Sequence, residues 1–215
     1  MTRYTVIDMS PFTFVVAAVG MVWLAMLLAS DHTRFEQLVM SLFGFLVAPA
    51  ALLMSAPQAE TGFAELLFVA STFGIAAVTY HALLEPHAVR LNGRRERHPA
   101  HWISHLLMSG GIWVIIAIAA RIVFAVPAAQ AFAMGGLLVG VYVLADHREL
   151  LLKALLSGVI VSILVFATEA LFSGHLFAVV SQTLEGLPVE ELLWAGVVGF
   201  TAGPVYEFAR HVRST

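Results

Sequence analysis

The chain has no cysteine, a single lysine and few charged residues, and each shortage excludes a class of protein. Without cysteine it forms no disulfide bond and carries out no thiolate chemistry. Its only lysine, Lys153, lies at the end of a predicted membrane span, which excludes a retinal Schiff base inside a helix. Charged residues make up 12% of the 215 residues and hydrophobic residues 60%. A soluble domain cannot cover its surface with so few polar side chains, so the composition predicts a protein embedded in lipid.

Long stretches without charge predict about seven transmembrane helices, because a bilayer core of about 30 Å needs roughly 20 apolar residues per crossing. The apolar stretch that follows Arg97 is too long for one crossing, and we divide it at Pro127, which suits a tight turn. The predicted spans are residues 11–30, 37–55, 63–84, 102–124, 128–145, 151–172 and 188–208. The predicted fold class is therefore an all-α, polytopic membrane protein.

Basic residues predict the orientation, because they concentrate on the cytoplasmic side of a membrane. With the N-terminus outside and the C-terminus in the cytoplasm, only Arg3 and Arg121 lie on or near the outer side. We expect an integral protein of a bacterial or archaeal cell membrane. The basic residues between 85 and 101 are typical of a loop that contacts anionic lipid headgroups, and a nucleic-acid partner is not expected.

An internal similarity relates the third and seventh spans at an offset of 126 residues. Residues 65–80, ELLFVASTFGIAAVTY, align with residues 191–206, ELLWAGVVGFTAGPVY, with five identities that include a Glu at the start and a Tyr at the end. The first and fifth spans both end in Asp-His followed shortly by Arg. The pattern predicts two three-helix units that point the same way across the membrane, joined by the fourth span in a 3+1+3 arrangement.

Residues 187–208, LPVEELLWAGVVGFTAGPVYEF, and the sequence HRELLLKALLSG that begins at His147 resemble the membrane-embedded lycopene cyclases. That family is found as two small subunits or as one fused chain, and each three-helix unit carries a Pro-x-Glu-Glu type motif. The motif is matched at Pro188, Glu190 and Glu191, whereas the first unit keeps only Glu65. Gly62 and Ala64 occupy the places of the Pro and of the first Glu. The resemblance implies a first unit at residues 1–85, a basic loop and linker helix at 86–126, and a second unit at 127–215.

The resemblance implies the cyclisation of a linear carotenoid end group, as an intramolecular lyase or isomerase reaction that uses no cofactor. One protonated carboxyl would deliver a proton to the polyene and a carboxylate would remove one after ring closure. Membrane lipid and a carotenoid or other apolar polyene are the expected partners, and a homo-oligomer is possible.

Ionisable residues inside membrane spans are functional candidates, because burying them in lipid costs free energy. Glu191 and Glu190 are the predicted acid and base, and Glu65 is their partner in the other unit. Glu169 and Arg121 are predicted to tune them from a similar depth. The predicted substrate-binding residues are Arg121, Trp194, Tyr206, Tyr80 and Glu207. The simpler alternatives are that carboxylates begin a helix at its positive end and that tyrosines anchor the membrane interface.

Three other functions are compatible with the sequence. A small-solute transporter can have the same 3+1+3 plan. A non-catalytic protein that binds lipid or carotenoid could keep the scaffold without the chemistry. A metal enzyme is the third, because His98, His101 and His105 follow the spacing of one helix face, with His81 and His87 nearby.

Overall fold

The computed structural model describes residues 11–55, 62–83, 94–96, 98–172 and 189–213. Within these ranges the chain forms seven long α-helices. In chain order they are α1 (Pro11–Ala29), α2 (Arg34–Ser55), α3 (Phe63–Leu83), α4 (Pro99–Phe124), α5 (Ala128–Asp146), α6 (Leu151–Phe172) and α7 (Val189–Arg210). Each predicted span corresponds to one of these helices, with bounds that differ by no more than three residues.

Five helices in the described ranges are long and apolar enough to cross a membrane, namely α1, α4, α5, α6 and α7, and α3 contains a shorter apolar stretch, Phe63–Thr79. Their outer surfaces carry large apolar side chains, such as Ile115 at 67% exposure and Ile122 at 75%. Apolar surface of this extent is stable against lipid and not against water. The fold is that of a helical integral membrane protein.

Helices α3 and α7 occupy the centre of the bundle. Helix α3 packs against α2 and α1, and α7 packs against α6 and α5. The two central helices also pack against each other, while α4 lies mainly against α5 and makes further contacts with α7 and α2. This arrangement places the ends of α3 and α7 where side chains from several helices meet.

Small residues allow the closest helix contact, between α6 and α7. A Cβ at Gly199 would lie 2.6 Å from the carbonyl oxygen of Ser157 and 2.8 Å from the Cα of Gly158. Lipid gives helices no hydrophobic reason to associate, so close backbone packing of this kind supplies much of the attraction.

Hydrogen bonds between helices add to this packing. The Trp113 indole Nε1 donates to the carbonyl oxygen of Phe132 at 2.8 Å, and the Thr201 hydroxyl donates to that of Gly136 at 3.0 Å. In unit one of the predicted repeat, the Trp23 indole donates to the Ser41 hydroxyl at 2.8 Å. These three polar side chains therefore have partners on neighbouring helices, as a lipid environment favours.

The turn at Pro127 separates α4 from α5 as the sequence predicts. Ala125 ends α4 with a left-handed backbone (φ 52°), and Pro127 caps the start of α5. The helical fold class is confirmed for the described residues, which also contain one short strand pair outside the helices, Arg94–Glu96 (β1) antiparallel to His211–Arg213 (β2). Strands of three residues are too short to show an apolar pattern in the sequence. Strand β1 lies in the predicted basic loop, and β2 follows the last predicted span.

Candidate functional site

Helices α3 and α7 contact each other at residues that are 126 positions apart, the offset found in the sequence. The same offset relates three contacts that follow one another along the helices, so α3 and α7 run side by side in the same direction. The contacting pairs are Phe68 with Trp194, Ala77 with Gly203, and His81 with Glu207.

At the predicted outer end, Glu65 lies in the first turn of α3, one turn before Phe68 on the same helix face. Its Oε2 atom is buried and has no hydrogen-bond partner among the described residues. The rings of Phe68 and Trp194 stack with centroids 5.7 Å apart and planes 21° apart. Glu191 precedes Trp194 by one turn of α7. The two glutamate positions therefore lie one turn beyond a direct contact between the helices.

Aromatic rings continue from this stack into the middle of the bundle. Successive centroids are 5.1–6.5 Å apart, within the range of attractive ring contacts. The rings belong to six helices, all except α6, and include the fully buried Trp113. In order of contact, the rings are Phe12, Phe68, Trp194, Phe132, Trp113, Phe73 and Phe43.

The other residues predicted for the outer end are not part of the Phe68–Trp194 stack. Glu169 is half-buried near the end of α6 and has an interaction partner. Arg121 is exposed and donates a hydrogen bond from NH1 to the carbonyl oxygen of Val126 at 3.1 Å. Within the described part of the chain Arg121 forms no ion pair, and its predicted influence on the outer carboxylates stays a prediction. The side chains of Glu190 and Glu191 lie outside the described ones, and their roles stay predictions.

A second polar cluster lies at the opposite, predicted cytoplasmic end of α3 and α7. The cluster consists of Glu36 in the first turn of α2, His81 in the last turn of α3 and Glu207 near the end of α7. One carboxylate oxygen of each glutamate and one ring nitrogen of the histidine lie within 4.8 Å of one another. Glu36 is 8% exposed and Glu207 9%. If both carboxylates are ionised, they repel each other by at least about 3.5 kcal/mol at an effective dielectric constant of about 20. The cluster therefore needs positive charge close by.

Arg210 and Lys153 lie close enough to Glu36 to supply part of that charge. Within the cluster, His81 Nε2 lies 3.6 Å from Glu207 Oε1. The Arg210 guanidinium also donates a hydrogen bond to the Tyr206 hydroxyl at 2.9 Å. Nevertheless, the buried Oε1 atom of Glu36 receives no hydrogen bond from any described residue.

The predicted substrate-binding residues divide between the two ends of the bundle. Trp194 belongs to the aromatic stack, whereas Tyr206 and Glu207 belong to the cytoplasmic cluster, about 18 Å away along α7 at 1.5 Å per residue. Tyr80 lies near the end of α3, and its side chain is outside the described ones. A compact ligand therefore cannot contact both groups at once.

Within the described ranges, His98, His101 and His105 form no common metal-binding group, and His87 lies outside these ranges. His98 and His101 are exposed, while His105 is half-buried with its ring 6.0 Å from that of Phe208. His147, from one of the repeated Asp-His pairs, is 2% exposed and lies 3.3 Å from Asp146 and 3.6 Å from Glu149. Among the described residues, the one group of three that could hold a metal ion is Glu36, His81 and Glu207.

Sequence reasoning missed Glu36. The predicted second span begins at residue 37, which leaves Glu36 just outside the membrane-spanning segment. The helix begins at Arg34 and buries both Glu36 and Gln37 in its first turn. An acidic residue next to the start of an apolar span is the signal that was available, but it does not distinguish a buried carboxylate from one at the interface.

The fold and these two clusters define a helical membrane protein with ionisable residues at both ends of a central helix pair. No protein-family model, curated protein or solved structure matches the chain.

Proposed function

We propose that this chain is a membrane-embedded cyclase of the lycopene cyclase type, which closes the end group of a linear carotenoid or similar polyene. The observation that carries the proposal is the Phe68–Trp194 stack, which lies one turn from Glu65 and from Glu191 on two parallel helices. It places two acidic positions beside aromatic rings near one end of an apolar bundle.

Support for a 3+1+3 parallel repeat, with seven crossings, comes from the way the helices pack. Helix α3 packs on α1 and α2, and α7 packs on the corresponding α5 and α6. Contacts between α3 and α7 keep the 126-residue offset over three successive pairs. Equivalent positions that face each other are what two units related by an axis along the membrane normal produce. In this proposal α4 is the linker between the units.

The reaction requires an acid and a base and no oxidant. A protonated carboxyl adds its proton to a terminal double bond, and a neighbouring double bond attacks the resulting carbocation to form the ring. A carboxylate then removes a proton from an adjacent carbon, which restores a double bond and leaves an isomer of the substrate. In this proposal Glu191 and Glu190 act as the acid and base, and Glu65 is their partner on α3.

Aromatic rings suit the intermediate of such a reaction. A carbocation cannot be stabilised by accepting a hydrogen bond, whereas the face of a Trp or Phe ring attracts its positive charge. Phe68 and Trp194 lie next to the acidic positions and are half-buried, whereas Phe132 and Trp113 are buried and continue the series of rings toward the bundle centre. A polyene held against Phe68 and Trp194 would have its end group near the carboxyls.

The test is pigment analysis of a lycopene-accumulating bacterial host that expresses the parent chain, Glu65→Gln or Glu191→Gln. We expect the parent to produce a cyclic carotenoid. Each variant should form it at least about 100-fold more slowly, because positioned acid or base groups contribute about that much or more. Glu149→Gln is the matched control, because Glu149 is an exposed carboxylate in the turn at the opposite end of the bundle.

Lycopene left unchanged by inserted, abundant parent protein would contradict the cyclase proposal and favour a binding or transport role. Product formation that survives both Glu65→Gln and Glu191→Gln would contradict the proposed carboxylate chemistry. Equal losses in these variants and in Glu149→Gln would point to a general effect on folding and would also count against the proposed roles.

A further inference from the structure

From the Glu36–His81–Glu207 cluster we infer a binding site for one divalent transition-metal cation such as Zn²⁺ at the predicted cytoplasmic end of the bundle. The site is separate from the proposed cyclase chemistry, because His81 lies about 24 Å along α3 from Glu65 at 1.5 Å per residue. Its ligands come from three different helices, α2, α3 and α7, that meet at this end.

The donor set identifies the class of ion. Two carboxylates and one imidazole are ligands that Zn²⁺, Mn²⁺ and Fe²⁺ accept, whereas Ca²⁺ and Mg²⁺ prefer sites made of oxygen atoms alone. Three protein ligands leave at least one coordination position for water or for another ligand. The cation would also compensate the repulsion between the two buried carboxylates.

The geometry is close to what such an ion requires. Ligands at about 2.1 Å from a tetrahedral ion are about 3.4 Å from one another. The distance between His81 Nε2 and Glu207 Oε1 is 3.6 Å, and all three donor atoms lie within 4.8 Å of one another. Binding therefore requires the donor atoms to approach one another by at most about 1.4 Å.

A second observation, independent of the clustering, also indicates a ligand. Glu36 is 92% buried, being 8% exposed, and its Oε1 atom has no hydrogen-bond donor among the described residues. A buried carboxylate oxygen that receives no hydrogen bond costs free energy, and native proteins seldom leave one in that state. A bound cation satisfies this oxygen, and the half-buried His81 gives access to the site from one side.

The test is Zn²⁺ binding to the full chain in nanodiscs, purified with a tag that contains no histidine and stripped with a chelator. We expect one Zn²⁺ per chain and a melting temperature that rises with Zn²⁺ concentration, because an ion that binds only the folded state stabilises it. Glu36→Gln and His81→Gln should each weaken binding at least about 100-fold, since even partners outside the ligand sphere contribute 10- to 100-fold. An excess of Mg²⁺ should leave Zn²⁺ binding unchanged.

Two matched controls distinguish this site from others. Glu65→Gln removes a carboxylate with a buried oxygen at the opposite end, and His101→Gln removes an exposed imidazole on α4. Both should bind Zn²⁺ like the parent. If Glu36→Gln does not fold, the Zn²⁺ affinity of His81→Gln tests the inference by itself. His81 is half-buried, so its replacement disturbs the packing less than that of the buried Glu36.

The inference is overturned if the parent binds no stoichiometric Zn²⁺, or if binding persists in both Glu36→Gln and His81→Gln. Loss of binding in His101→Gln, with Glu36→Gln unaffected, would place the ion at the exposed histidines and would equally overturn it. Because pigment conversion and metal binding are measured separately, failure of one proposal leaves the other unchanged.

Discussion

Replacing Gly199 with alanine tests whether close backbone contact holds α6 and α7 together. The added Cβ would lie 2.6 Å from the Ser157 carbonyl oxygen, at least 0.4 Å inside the 3.0 Å limit that real Cβ contacts observe. The neighbouring atoms belong to the backbone of α6, so no side chain can rotate away, and the helices must separate. Overpacking of this kind costs about 1–3 kcal/mol.

Alanine also favours helix formation, which returns about 1 kcal/mol, so we expect a net loss of up to about 2 kcal/mol in the free energy of unfolding. Gly111→Ala is the control, because Gly111 is exposed on α4 and a Cβ there would meet nothing within 4 Å. Thermal unfolding and denaturant titration of both variants in the same detergent measure the difference. If Gly199→Ala is as stable as Gly111→Ala, close packing at this interface does not contribute as argued.

Two further predictions concern packing and orientation. Trp113→Phe removes the indole hydrogen bond to the Phe132 carbonyl and leaves a cavity, so it should lower the free energy of unfolding by about 1–3 kcal/mol, whereas Ile115→Val on the lipid-facing surface of the same helix should change it little. Because the chain has no cysteine, single cysteines report orientation without background. In intact cells of a bacterial host, a membrane-impermeant maleimide should label Pro127→Cys, and it should label His32→Cys only after permeabilisation; the opposite pattern would reverse the predicted orientation.

The positions of the helices could be predicted because charge is so scarce in this chain. A charged residue inside lipid is costly, so the gaps between charges mark the apolar segments, and a proline divided the one segment that was too long. The break between α4 and α5 at Pro127 confirms that reasoning. The pairing of β1 with β2 was not predicted, because the two strands are too short to show an alternating apolar pattern and lie far apart in the sequence.

The cytoplasmic cluster could not be predicted in the same way, because its burial depends on how helices meet. Glu36 resembles any acidic residue that precedes an apolar span, and only the approach of α3 and α7 encloses it. The repeat did place Tyr80-His81 and Tyr206-Glu207 at matching positions. It did not indicate that matching positions touch, which requires the two helices to be neighbours.

The contact between equivalent positions explains why the two ends of α3 and α7 differ in chemistry. At one end both equivalent positions carry glutamate, Glu65 and Glu191, the positions that the proposed cyclase reaction uses. At the other end the equivalent positions carry His81 and Glu207, whose Nε2 and Oε1 atoms lie 3.6 Å apart and which, with Glu36, form a mixed donor set. Replacing His81 with alanine, which leaves no donor atom at that position, should therefore weaken Zn²⁺ binding without changing pigment conversion, because the carboxyls of the proposed reaction lie at the other end.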